Sequence, residues 1–192
     1  MMATVLRAAD RLDQPWKNGG GRTREVVAAP AFGAVGDFDW RVSMADVAVA
    51  GPFSSFPGID RTLMVLDGRL ELSFADPPSV HVLTPGAAAL DFPGEAAVIG
   101  QPLDGPVIDL NLMVRRGSFR GSIRHHAPGR VLEGDEAPAA LLVVALQTTS
   151  IEIGGARNTL ERFDAVHLDA PSQADVTVSR PVLILRIDRL DV

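Results

Sequence analysis

The stretch Arg61-Thr62-Leu63-Met64-Val65-Leu66-Asp67-Gly68-Arg69-Leu70-Glu71-Leu72-Ser73-Phe74 decides the fold class. Two short β-rich runs flank Asp67-Gly68. Glycine tolerates the positive φ that a two-residue primed turn demands, so the dipeptide predicts a tight hairpin. Upstream, Trp40, Val42, Met44 and Asp46 alternate with Arg41, Ser43 and Ala45, a period of two that reads as a strand. Downstream, strands are predicted at 80–83, 87–92, 97–99, 107–114, 141–147, 150–153, 165–168, 175–178 and 182–187. Pro77-Pro78, Pro85-Gly86, Pro93-Gly94, Gly105-Pro106 and Gly154-Gly155 punctuate them as turns. No sustained 3.6-residue stripe is present, and a helical turn is expected only near the N-terminus or within 133–140. The class is all-β, closed as sandwiches or barrels.

The two halves resemble each other. Leu90-Asp91-Phe92-Pro93 recurs as Leu168-Asp169-Ala170-Pro171, an offset of 78 positions. Each is followed by an apolar strand opened by proline, Pro106-Val107-Ile108 and Pro181-Val182-Leu183, where the offset shrinks to 75. The ordered match of turn, strand, Asp-x-Pro and Pro-strand points to duplication. A segment at 118–140, rich in Gly, Pro and charge, separates the halves. The expectation is one compact chain over 1–192, with an N-terminal lobe over about 1–117 and a C-terminal lobe over about 118–192.

Composition narrows the function. A net charge of −6 with scattered basic residues argues against a phosphate backbone as partner. The absence of cysteine removes disulfides, thiolate metal sites and a cysteine nucleophile. The first residues lack the apolar core of a signal peptide, and the longest apolar runs are strand-length, so the expectation is a cytoplasmic protein with no membrane partner. All 18 basic residues are arginine except Lys17, and the asparagines are Asn18, Asn111 and Asn158. A lone lysine can mark a site that needs a compact ammonium rather than a planar fork.

Three segments carry chemistry. Trp16-Lys17-Asn18-Gly19-Gly20-Gly21 offers an ammonium, an amide and glycines whose N–H groups can nest around an anion, against a plain glycine-rich turn with Lys17 solvated. In Pro57-Gly58-Ile59-Asp60-Arg61 the turn delivers Asp60 and Arg61 to the start of a strand. Alternation sets Arg61, Leu63 and Val65 on one side, so Arg61 lies at a barrel mouth or points inward, where it can grip a carboxylate; an Asp60–Arg61 surface pair is the alternative. In Val107–Val114, Asp109, Asn111 and Met113 share a face opposite Leu110 and Leu112, placed either for a ligand or for satisfying buried backbone. The candidate ligand-binding set is Trp16, Lys17, Asn18, Gly19, Gly20, Asp60, Arg61 and Asn111. No Ser-His-Asp arrangement or nucleophile elbow is evident, so no catalytic residue is assigned.

The segments 16–25, 52–61 and 109–116, in that order along the chain, resemble the HutD/Ves family, and the strand, Pro-Gly, strand, Asp-x-Pro rhythm is similar to the second half of a cupin motif. The resemblance implies a bicupin of two cupin-like β-barrels, a cytoplasmic location and an association with histidine utilisation. It also implies a role in binding a small anionic metabolite such as formylglutamate and so modulating the pathway. Metal-binding cupins use a His-x-His, a Glu and a later His. Here Thr62–Phe74 contains no histidine, His81 and His167 stand singly, and His125-His126 would point apart if extended, so neither metal nor cofactor is expected. The competing reading is an enzyme acting on a small carboxylated metabolite, with Lys17 as base and Arg61 as anchor. Cupins commonly pair through exposed sheets, which makes a homodimer the fold-level expectation.

Overall fold

The computed structural model describes residues 2–16, 19–30, 37–131, 138–169 and 175–190. Apart from one 3-10 turn at Ala8–Asp10, the regular structure of these residues is β. The strands are β1 (Met2–Leu6), β2 (Asp13–Pro15), β3 (Gly21–Ala29), β4 (Trp40–Val47), β5 (Gly51–Pro52), β6 (Ile59–Asp67), β7 (Leu70–Ala75), β8 (Pro78–Leu83), β9 (Leu90–Pro93) and β10 (Val98–Pro102). They continue with β11 (Val107–Arg115), β12 (Phe119–His126), β13 (Gly129–Arg130), β14 (Ala140–Ala145), β15 (Thr149–Ile153), β16 (Ala156–Leu160), β17 (Ala165–Asp169), β18 (Val176–Val178) and β19 (Val182–Arg189). No helix of the described residues is long and apolar enough to cross a membrane.

The chain divides into two compact units, Leu12–Gly121 and Met1–Arg11 with Ser122–Val192. The C-terminal boundary falls near the linker read from the sequence. The N-terminus differs from that reading: β1 pairs antiparallel with β17, from Met2 opposite Asp169 to Leu6 opposite Ala165, so the first strand belongs to the C-terminal lobe. The physical cause is a long-range pairing and an ion pair, Arg7 to Asp164 at 2.7 Å, that no local pattern announces.

In the unit Leu12–Gly121, one sheet runs β2-β3-β4-β11-β6-β9 and a second runs β5-β10-β7-β8. Ala45, Val47, Leu63, Val65, Leu70, Leu72, Leu83, Phe92, Val98 and Val107, drawn from both sheets, form one buried cluster between them. Leu63, Leu70 and Leu72 are completely buried, at roughly 2 kcal/mol of apolar burial each. The predicted hairpin turn is present, with Gly68 at φ 79° and set so close to the next strand that a Cβ there would stand 2.8 Å from the Pro106 carbonyl oxygen.

The other unit repeats the plan of β4 to β11. Its sheets run β1-β17-β14-β19-β12 and β13-β18-β15-β16. Advancing each of β4 to β11 by eight strands reproduces the pairing pattern: β6 with β9 and β11 becomes β14 with β17 and β19, and β7 with β8 and β10 becomes β15 with β16 and β18. The residue offset agrees, since Leu63 lies opposite Leu90 and Leu141 opposite Leu168. Duplication is thus visible in both topology and register, in an all-β, cupin-like fold.

Candidate functional site

Cross-strand register builds the interior of the unit Leu12–Gly121 layer by layer, because directly opposed residues in antiparallel strands project to the same face. The cluster residues Ala45, Val47, Leu63, Val65 and Val107 show that odd-numbered positions of β4, β6 and β11 face inward. One layer contains Thr23, Ala45, Asp109 and Val65. The next contains Glu25, Ser43, Asn111, Leu63 and Leu90. A third contains Arg41, Met113, Arg61 and Phe92. Polar groups therefore line one wall of an otherwise apolar interior. Register irregularities at Glu25/Val27 and Ile108/Asp109 border this wall, and such bulges re-aim side chains where a sheet carries a site.

Arg61 is the central oddity. Only 6% of it is exposed, and its guanidinium stands 5.0 Å from the Phe53 ring centroid, 5.1 Å from Phe92 and 5.9 Å from Phe56. Its Nη1 makes a long 3.4 Å hydrogen bond to the Ser54 carbonyl, and its Nε has no acceptor. Burial pulls its pKa from 12.5 down to about 10, with Asp109 opposing and Arg41 reinforcing the shift. A buried cation ringed by aromatic faces, with a donor unused, is not a completed ion pair and has the chemistry to receive an anion.

Asn111, 8% exposed, has a buried Oδ1 with no donor. Asp109, 3% exposed, makes no hydrogen bond through its carboxylate among the described residues. Burial pushes it up to about 7, although Arg61 works in the opposite direction. Arg41 is already engaged, its Nε donating to Glu25 Oε2 at 2.8 Å.

The sequence candidates divide accordingly. Arg61 and Asn111 face the same interior, one layer apart. Asp60 does not join them: it projects from the opposite face of β6 and accepts from Arg116 Nε at 2.6 Å, beside a second bond from Arg116 to Glu95. That assignment is corrected by strand alternation, which separates neighbours in sequence onto opposite faces. Trp16 packs against the interior cluster and its indole N–H donates to Thr23 Oγ1 at 2.8 Å. Gly19, at φ 70°, uses its N–H in a turn to the Trp16 carbonyl, and the Gly20 carbonyl accepts from Ala48 and Val49. Gly21 lies under the Trp16 ring where a Cβ would strike the Asp46 backbone. These glycines thus serve the turn and the close approach. Lys17 and Asn18 lie outside the described residues. Arg41, Ser43 and Asp109 were absent from the candidate set; the available signal was the alternation of β4, which set Arg41 and Ser43 on one face without saying which face is interior.

The second unit lacks this wall. Its interior is Leu141, Val143, Ala145, Ile151, Leu160, Val166, Leu168, Val176, Val178 and Val182. By register, Ile184 stands where Asp109 does and Arg186 where Asn111 does, with Arg186 held by both oxygens of Asp188 at 2.9 Å. Ala139 takes the place of Arg61, by the offset of 78. Among the described residues, no group of three or more His, Asp or Glu is arranged to hold a metal ion.

A family model described as HutD matches residues 8–185. An uncharacterized 21.2 kDa protein in the hutC 3′ region of Pseudomonas putida is 33% identical over 167 residues, which cover 86% of each chain. Protein Ves of Escherichia fergusonii is 36% identical over 113 residues, spanning 57% of this chain and 56% of Ves. Among solved structures, HutD from Pseudomonas fluorescens SBW25, described for a formate condition, matches with a TM-score of 0.84 at 25% identity, covering 99% of this chain and 100% of that one. A cupin 2 conserved barrel domain protein from Leptotrichia buccalis shares the fold alone, with a TM-score of 0.58 at 11% identity over 88% of each chain. The chain belongs to the HutD family, as a histidine-utilisation-associated protein with a cupin-like β fold.

Proposed function

We propose that the unit Leu12–Gly121 binds a small carboxylate, formylglutamate being the first candidate, and that this binding modulates histidine utilisation in the cytoplasm. The observation that carries the reading is Arg61: a guanidinium inside an apolar barrel, flanked by three phenylalanines, with its Nε lacking an acceptor. A carboxylate completes that group with charge-assisted hydrogen bonds, which are about twice as strong as neutral ones. Asn111 presents an unpartnered Oδ1, an acceptor that the amide N–H of a ligand such as formylglutamate would satisfy. The aliphatic core cluster of the other unit, with Ile184 in place of Asp109 and Ala139 in place of Arg61, supports a division of labour in which one lobe binds and its duplicate serves as scaffold. The wall offers Arg61 and Asn111 with unpartnered polar atoms and no arranged nucleophile among the described residues, which favours binding over catalysis.

The test is a thermal-shift panel of formylglutamate, glutamate, formate and other histidine-pathway intermediates. A ligand at 100 times its Kd stabilises the folded state by about 2.7 kcal/mol. At about 2–4 °C per kcal/mol for a chain of this size, the melting temperature rises by roughly 5–10 °C. No shift with any panel member at millimolar concentration, or a shift unaltered by Arg61→Ala, refutes the assignment.

A further inference from the structure

The carboxylate-binding reading leaves a charge-balance problem inside the barrel, and this inference rests on that reading. On the inward face of the sheet β3-β4-β11-β6, the described ionisable side chains in the three polar layers are Glu25, Arg41, Arg61 and Asp109. Glu25 and Arg41 neutralise each other through their 2.8 Å bond. Arg61 and Asp109 remain, one positive and one negative, both almost completely buried. The facing sheet turns Leu70, Leu72 and Val98 toward them, with His81 on its exposed edge strand against Phe74. On the outward face of β4, Asp46 adds a further negative charge that Arg22 and Arg24 hold.

Among the described residues, the inward-facing charges therefore sum to zero. A carboxylate entering to meet Arg61 would leave two negative charges against one positive in an apolar space, where unpaired charge is costly. Asp109 has no hydrogen-bond donor among the described residues to hold it as an anion. We propose that Asp109 takes up a proton when an anionic ligand binds at Arg61, so that the barrel admits the carboxylate and one proton together. The only step is proton transfer from solvent to a carboxylate oxygen of Asp109, and it is reversed on release. Burial already raises Asp109 to about 7 in the free protein, so it is largely ionised at pH 8 and ready to accept.

Isothermal titration of the full chain with formate, the monocarboxylate that matches this charge count, and in parallel with N-formyl-L-glutamate, measures the uptake directly. Each pH is run in buffers of contrasting ionisation enthalpy (HEPES, TAPS and Tris at pH 8). The slope of apparent enthalpy against buffer ionisation enthalpy counts protons. A group near 7 that is fully protonated in the complex gives about 0.9 proton at pH 8, about 0.5 at pH 7 and about 0.1 at pH 6. Affinity then weakens about tenfold per pH unit above pH 8 and is flat below pH 6. Asp109→Asn, the neutral isostere, binds with no uptake and no pH dependence over this range. Binding by the wild-type chain without uptake at pH 8 overturns this inference and leaves the carboxylate reading standing, as does uptake that persists in Asp109→Asn. Absence of both heat and thermal shift at millimolar probe overturns both. The wild-type buffer series decides the matter if the variant does not fold.

Discussion

Replacing Arg61 by methionine should separate stability from function. Methionine fills a similar volume and keeps contact with Phe53, Phe56 and Phe92 but removes the charge. Burial holds the guanidinium at about 10 instead of 12.5, which at ~1.36 kcal/mol per tenfold change amounts to about 3 kcal/mol against the charged form. Opposing this, cation–π contact with three rings contributes about 1–3 kcal/mol in all. The single hydrogen bond, at 3.4 Å to Ser54, adds little. Asp109 loses its countercharge but, starting near 7, takes a proton at neutral pH instead of remaining a stranded anion. The sum is a variant within about 1 kcal/mol of wild type, or more stable. Binding should fare differently: a desolvated charged contact is worth about 2–5 kcal/mol, so affinity for a carboxylate falls at least 30-fold. Urea unfolding with a common m-value, paired with titration calorimetry, reads both. A loss above about 2 kcal/mol with ligand affinity intact would identify Arg61 as a brace for the segment at Ser54 and refute the reasoning.

Three further outcomes follow from the geometry. Asp109→Asn should stabilise the protein at pH 8 by roughly 2–4 kcal/mol and by little at pH 4: the raised carboxyl costs nothing while both states are protonated, and its cost grows as pH climbs from 3.8 to about 7; denaturant midpoints across pH check this. Asp164→Ala should cost about 2–4 kcal/mol, because this buried carboxylate accepts from the Ala8 and Glu161 N–H groups and from Arg7; hydrogen exchange of Met2–Leu6 should quicken with it. Those partners hold Asp164 below the usual carboxylate range, so its contribution is present above that range and lost as pH falls through it. Arg116→Ala should change stability by no more than about 1 kcal/mol and leave ligand affinity untouched, since its bonds to Asp60 and Glu95 are half-exposed; calorimetry and urea melts read the two.

The local elements were legible because their signals are local. Asp67-Gly68 marked a hairpin, and period-two alternation put Asp109, Asn111 and Met113 on one face. The offset of 78 found the repeat that the pairing of β6 with β9 and β14 with β17 reproduces. Adjacency in sequence pairs Asp60 with Arg61, whereas alternation sends them to opposite faces and leaves Asp60 to Arg116. Arg41 and Ser43 share one face of β4, but nothing within β4 identifies which face is inward. Only pairing with β11, where Ser43 meets Asn111 and Arg41 meets Met113, settles that.

By itself, the sequence of this chain determined an all-β class, a duplicated plan and the membership of each strand face, since the side-chain period of two is a property of the extended backbone. Tertiary structure alone decided which face is enclosed, which unit claims Met2–Leu6, and that Arg61 and Asp109 are both buried on the inward face while Asp60 meets Arg116 outside. Enclosure depends on register between strands dozens of residues apart. The perturbed charge of a buried group depends in turn on everything that the enclosure brings near it.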